Sequence, residues 1–323
     1  MLFKLSICFF GIFISYLVCG YAIEYLTTNF GKSIFTFNFV MILTPSICTS
    51  VVGKILILSS NEKLADDKIP KSFYFLCSFF QMSSMICANS ALAFIPYPTQ
   101  LIMKSSKPIA ILGTSLICLS KGIHHPSRII STIIIVFGVM GFLQQQYSLK
   151  NTSTTKDLNV QFSENVFGWF LVLLSLMFDS LLGLIQYKAK SKHVMNTNFM
   201  IYRINVYSCV LLILGILLTS EFVGFLKFFT GNPSVVFYLL LIGVTAAAGQ
   251  CFIFYTVSHF GPLTCSIITN IRKFVQIFMS VLLFKHTLTA QMGCFVLIVF
   301  AGLMMDVWSQ FKYRSKSKDV TVA

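Results

Sequence analysis

Apolar residues do not alternate along this chain; they run. Ten stretches of about 20 predominantly apolar residues can be read, at 3–23, 35–58, 72–95, 98–119, 129–149, 165–187, 199–220, 234–258, 262–284 and 288–307. A bilayer core about 30 Å thick needs roughly 20 residues of helix, so each run predicts one membrane-spanning α-helix. The connections are short. The longest, near 150–164 and 221–233, are polar or carry Gly231, Asn232 and Pro233. Two boundaries rest on little sequence, one at Pro96-Tyr97-Pro98 and one at Gly261-Pro262. The first run follows Lys4 as a secretory leader would, but it is longer than a normal leader core and no small-x-small site follows. It is expected to stay as a helix.

Composition agrees: 56% of the 323 residues are hydrophobic, 11% are charged, and mean hydropathy is +0.82. A water-soluble fold could not bury 34 Phe beside so many Leu and Ile. The ten Cys are scattered through apolar runs without a C-x-x-C or a Cys/His cluster, so they are expected to pack as small apolar residues. No metal site or cofactor is expected. The formal charge of +14 sits on no soluble domain, so nucleic acid is not the expected partner.

With the N-terminus placed in the cytoplasm, thirteen basic residues fall in cytoplasmic segments and five on the opposite side. Positive charge stays inside, so both termini are expected in the cytoplasm, as an even number of spans requires. The N-x-S/T sequon at Asn151 then faces the lumen.

Six basic residues remain, and they lie within spans. Lys54 and Arg203 stand near span ends, where a long side chain can snorkel to the interface. Lys104, Lys107, Arg272 and Lys273 lie six to eleven residues from the nearest end, at a depth of roughly 9–16 Å. Each costs about 2.5–3.5 kcal/mol at a helix centre, so the four cost about 10–14 kcal/mol before compensation. Asp179 is the one carboxylate deep in a span; Glu24, Glu221 and Asp306 lie at span ends. Buried ion pairs therefore fail on count, and a water-filled cavity that binds an anion remains. Ser266, Thr269, Lys273, Gln276 and Ser280 form one stripe on span 9, and Gln100, Lys104, Lys107 and Thr114 form another on span 4. Arg272 stands about 100° from the Lys273 stripe and is expected to reach the cavity from its edge. A planar fork beside point charges suits a di- or triphosphate.

The two cationic helices have related surroundings. Pro98 precedes Lys107 by nine residues, Pro262 precedes Arg272 by ten, and Asn89 and Gln250 mark the preceding spans. Helices five apart imply repeats of opposite membrane orientation, with the site between them near the midplane. The expected fold is all-α: a polytopic membrane protein of ten helices as two inverted five-helix repeats. The expected organisation is 1–149, a lumenal connection 150–164, 165–308, and a basic cytoplasmic tail 309–323.

The segments NSALAFIPYPTQLIMKSSKP at 89–108, LLSLMFDSLLGLIQ at 173–186, GQCFIFYTVSHFGPLTCSIITNIRKF at 249–274 and GLMMD at 302–306 carry a resemblance along essentially the whole chain. In them the chain resembles the drug/metabolite transporter superfamily, and within it the nucleotide-sugar transporters of solute carrier family 35, subfamily B. Members of that group are described as UDP-galactose/UDP-glucose transporters or as ATP/ADP exchangers of the endoplasmic reticulum. The resemblance implies that Lys104, Lys107, Arg272 and Lys273 contact phosphates, while Asn89, Tyr97, Gln250 and Thr269 line the base or sugar side. Gln276 joins them from the polar stripe. Glu24 matches a family acid at the end of span 1, able to pair with a cation when the site is empty. Three departures stand out: Ile23 where the family has Gln, Asn270 and Ile271 where it has hydroxyls, and a C-terminus without a dilysine signal.

The function implied is an antiporter that exchanges a nucleotide or nucleotide sugar for a nucleoside phosphate across the endoplasmic reticulum membrane, or alternatively the Golgi membrane. PAPS or another phosphate-bearing anion is the alternative cargo. A membrane transferase is disfavoured because the five His sit in loops or at span ends and no acid pair lies near the cations. An anion channel is disfavoured because charge-ring pores usually need symmetric subunits.

Overall fold

A computed structural model describes residues 2–31, 37–60, 69–118, 126–153, 158–192, 196–219, 221–284 and 289–322. Eleven helices account for nearly all of them, and no strand occurs among the described residues. They are α1 (Leu2–Phe30), α2 (Asn38–Ser59), α3 (Lys71–Ala91), α4 (Tyr97–Lys104), α5 (Lys107–Cys118), α6 (Pro126–Ser153), α7 (Leu158–Lys192), α8 (Thr197–Thr219), α9 (Glu221–Gly231), α10 (Ser234–Phe284) and α11 (Ala290–Val322).

Among the described residues, eight helical stretches are long and apolar enough to cross a membrane. They coincide with eight of the ten predicted runs. The other two, 72–95 and 98–119, differ for readable reasons. α3 is a full 21 residues, but Gln81, Ser83, Ser84 and Asn89 dilute its apolar character. The run at 98–119 is two helices, α4 and α5, parted at Ser105-Ser106. Pro108 has no N–H to return to the carbonyl of residue 104, and its ring crowds that turn. The chain tightens instead, with Ser106 N donating to Met103 O and Ile109 N to Ser106 O.

The predicted division at Gly261-Pro262 is also drawn differently. α10 is helical throughout its 51 residues. Yet Tyr16 of α1 touches both Gln250 and Arg272, which a straight helix would hold roughly 33 Å apart. The two legs of α10 therefore double back, one antiparallel and one parallel to α1, with Pro262 between them. The predicted loop at 150–164 is shorter than expected, because α6 extends to Ser153 and α7 begins at Leu158. Likewise 309–322 continues α11 as helix, and the loop predicted at 221–233 contains α9.

The exterior is apolar: Phe10, Phe137, Phe237, Leu217 and Leu218 are all exposed. Polar residues are buried instead, among them Glu24, Ser84, Gln100, Gln276 and Ser280. This inversion suits a solvent of lipid chains and leaves the interior for chemistry. α1 packs along α10, α3 along α7, α2 against α8, and α6 against α11. The last pair meets closely through small residues. A Cβ on Gly138 would stand 3.0 Å from Val299 N and 3.1 Å from Phe295 O, both backbone atoms that cannot swing aside.

Candidate anion site

The first span and the second leg of α10 run side by side in register. Tyr16, Gly20 and Glu24 recur every four residues on α1, and Arg272, Gln276 and Ser280 do the same on α10. Successive members of each set share one helix face. Three rungs result. The Arg272 guanidinium lies over the Tyr16 ring, 4.4 Å from its centroid. Gln276 Nε2 donates to Tyr97 Oη at 2.6 Å and approaches Tyr16 O at 3.4 Å, in the space left by Gly20. Ser280 Oγ donates to the Glu24 carboxylate.

Arg272 takes a defined place in these rungs. It belongs to the Gln276–Ser280 column, donates from Nη1 to Gln276 Oε1 at 2.7 Å, and leaves its Nε without a partner among the described residues. Gln250 joins the same group by accepting from Tyr16 Oη at 3.5 Å.

The lysines form the other half of the site. Lys104 ends α4 and Lys107 begins α5, so the helix break falls between them. Interrupted helices free backbone groups and space, and in transporters they mark substrate sites. Lys273 lies within electrostatic range of Arg272, Lys107, Lys104 and Asp179. Lys104 in turn senses Lys107 and Asp179. All four predicted cations are therefore brought together, from α4 and α5 on one side and the distant α10 on the other. None of the three ammonium groups has a hydrogen-bond or ion-pair partner among the described residues. Lys107 is exposed; Lys104 and Lys273 are half-buried.

The remaining predicted residues divide. Tyr97, Gln276 and Glu24 sit in the rungs. Thr269 turns its hydroxyl to Ser266 O on its own helix, and the Asn89 side chain has no partner among the described residues. The polar face predicted for span 4 is interrupted: Gln100 Nε2 donates to Ala88 O, and Thr114 donates to Ala110 O. Sequence reasoning missed Tyr16 and the serine partner of Asp179, Ser84, which donates to that carboxylate at 2.6 Å. A Tyr four residues before Gly20 and eight before Glu24 was the available signal.

Two cavities flank the rungs. One of about 340 Å³ is lined by Thr27, Thr28, Glu24, Tyr97 and the turn 92–96. Another of about 210 Å³ reaches Glu24, Tyr97, Gln276 and Ser280 between α1 and α10. Among the described residues no group of His, Cys, Asp and Glu could hold a metal ion.

A sequence model of the UAA transporter family matches residues 4–310. Solute carrier family 35 member B1 of Rattus norvegicus is 36% identical over 309 residues, covering 94% of this chain and 92% of the relative. The Bos taurus protein of that name is 35% identical over 308 residues, with the same coverage. The Drosophila melanogaster homolog of solute carrier family 35 member B1 is 30% identical over 307 residues, covering 92% and 88%. One solved crystal structure, 11% identical, superposes with a TM-score of 0.54 over 94% of this chain and 96% of its own, a likeness of fold alone. Together with the helical fold and the interior cations, these matches show that the chain belongs to the UAA transporter family, among the nucleotide-sugar transporters.

Proposed function

We propose that this protein is an alternating-access antiporter that carries a nucleotide or nucleotide sugar across an endomembrane in exchange for a nucleoside phosphate. Its cargo is UDP-galactose or UDP-glucose, or ATP against ADP, and its membrane is that of the endoplasmic reticulum. The observation that carries this reading is the set of three ammonium groups that have no acceptor among the described residues, beside an arginine whose Nε likewise has none. Cations left unpaired inside a membrane protein are costly unless an anion completes them. A polyphosphate supplies several acceptors at once, and the bidentate fork of Arg272 adds direction to the point charges of the lysines.

The packing supports two inverted five-helix halves. Counting α4–α5 as the fourth span and the two legs of α10 as the eighth and ninth, the partnerships first-with-eighth and third-with-sixth exchange under a five-helix shift. The second-with-seventh and fifth-with-tenth partnerships map onto themselves. That is the pairing expected of a two-fold axis in the membrane plane. With both termini cytoplasmic, the rungs from Tyr16–Arg272 to Glu24–Ser280 close the lumenal side, while exposed Lys107 looks toward the cytoplasm.

The test is exchange by purified protein in proteoliposomes, with labelled ATP, UDP-glucose and UDP-galactose offered to vesicles loaded with ADP or UMP. Uptake of at least one probe, accelerated by an internal nucleotide, is expected. Uptake that is indifferent to loading, or absent for all three, overturns the proposal.

A further inference from the structure

We infer that Asp179 is the exchangeable counterion of the cation cluster, a positioning residue that competes with the substrate's phosphates and thereby sets how tightly substrate is held. This rests on the antiporter reading above and assigns a role to the one deep carboxylate that reading leaves unused.

Among the described residues, Asp179 is a carboxylate within electrostatic range of both Lys104 and Lys273. It makes no ion pair with either; its Oδ1 instead accepts from Ser84 Oγ at 2.6 Å. Ser84, on α3, is itself held against α7, meeting Ser175 Oγ at 3.0 Å and donating to Ser175 O at 3.1 Å. The arrangement is unusual for a half-buried acid within reach of two of the cations, Lys104 and Lys273, where direct pairing gives the largest Coulomb gain. A tethered acid partly offsets the mutual repulsion of the cluster when no anion is bound, yet leaves every ammonium N–H open to an incoming phosphate. It also repels that phosphate. Occupied and empty carriers are thereby brought closer in free energy, as rapid exchange requires, since binding far tighter than needed slows release.

The two members of the tether should then act in opposite directions. Asp179→Asn removes the competing charge, so substrate binds more tightly and leaves more slowly. Ser84→Ala frees Asp179 to move onto the lysines, so substrate binds more weakly. At an effective dielectric near 20, a unit charge at roughly 10 Å changes the affinity for an anion on the order of tenfold. Full-length wild type, Asp179→Asn, Asp179→Glu and Ser84→Ala are reconstituted, and labelled ATP and UDP-galactose uptake is measured into ADP- or UMP-loaded vesicles. Asp179→Asn is expected to lower the half-saturating concentration and the maximal rate, each about tenfold. Ser84→Ala should raise the half-saturating concentration, and Asp179→Glu should recover most of the wild-type pattern. Half-saturating concentrations that move the same way in Asp179→Asn and Ser84→Ala, or do not move, overturn the counterion role, because packing damage would not separate their signs. Wild-type protein that exchanges neither probe overturns the antiporter reading instead.

Discussion

Gly20 lies where α1 and the second leg of α10 approach closely, and replacing it by Ala offers a quantitative test of their register. A Cβ at this position would lie 1.9 Å from Gln276 Nε2, 2.9 Å from Gln276 Cδ and 2.9 Å from Tyr97 Oη. Neither partner can retreat, since Gln276 is 5% and Tyr97 7% exposed. The Gln276–Tyr97 hydrogen bond must break, leaving a buried amide donor that costs about 1–3 kcal/mol. Overpacking adds about 1–3 kcal/mol, while the better helix propensity of Ala returns about 1 kcal/mol. The net expected loss is about 1–5 kcal/mol. Gly183→Ala is the internal control, because nothing lies within 4 Å of its built Cβ and only the propensity gain remains. Thermal unfolding of the purified protein, followed by tryptophan fluorescence, should rank Gly20→Ala below wild type and Gly183→Ala at or above it. In a Tyr97→Phe background the hydroxyl is already gone, so Gly20→Ala should cost measurably less there. Equal stability of the two glycine variants, or strict additivity with Tyr97→Phe, would refute the register.

Three further outcomes follow from the same contacts. Arg272→Lys keeps the charge but loses the fork that lies over Tyr16 and reaches Gln276, so the half-saturating substrate concentration should rise at least tenfold in vesicle uptake without loss of inserted protein. Gly138→Ala drives a Cβ against the backbone of α11 and should lower the unfolding temperature by more than any change at Gly183. Glu221 lies outside the membrane spans, where burial raises its carboxyl above the ordinary value even though the backbone N–H groups of Phe39 and Val40 pull it down. A raised native value favours the protonated form in the fold, so this group's contribution to stability is present below about pH 4.5 and is lost as pH rises through the native value. Glu221→Gln should flatten that part of the stability–pH curve, and an unchanged slope would contradict it.

Much of this molecule was legible in the order of its residues. Apolar runs give helices wherever they are long enough, because a bilayer leaves the backbone no other way to satisfy its hydrogen bonds. The four cations were legible for the complementary reason, that charge in such a run demands an explanation. What escaped was set by partners distant in sequence. Arg272 looked peripheral because the 3-4-3-4 polar stripe passes through Lys273, whereas the contact with α1 follows the 4-4 column of Arg272, Gln276 and Ser280. The break between Lys104 and Lys107 was written in Pro108 but concealed by the apolar length of the run. Tyr16 carried only its four-residue spacing from Gly20 and Glu24; its ring gains meaning once the folded chain lays Arg272 across it. The tether of Asp179 by Ser84 joins residues 95 positions apart and has no local signature.

The central claim is that ammonium groups without a partner among the described residues are completed by the phosphates of a transported nucleotide. Its most direct measurement is nucleotide exchange by Lys107→Ala and Lys273→Ala in proteoliposomes, with inserted protein quantified in the same vesicles. Neither lysine has a partner to lose among the described residues, so both variants should insert and fold as wild type does while exchange is abolished. Full nucleotide uptake by either variant would contradict the claim.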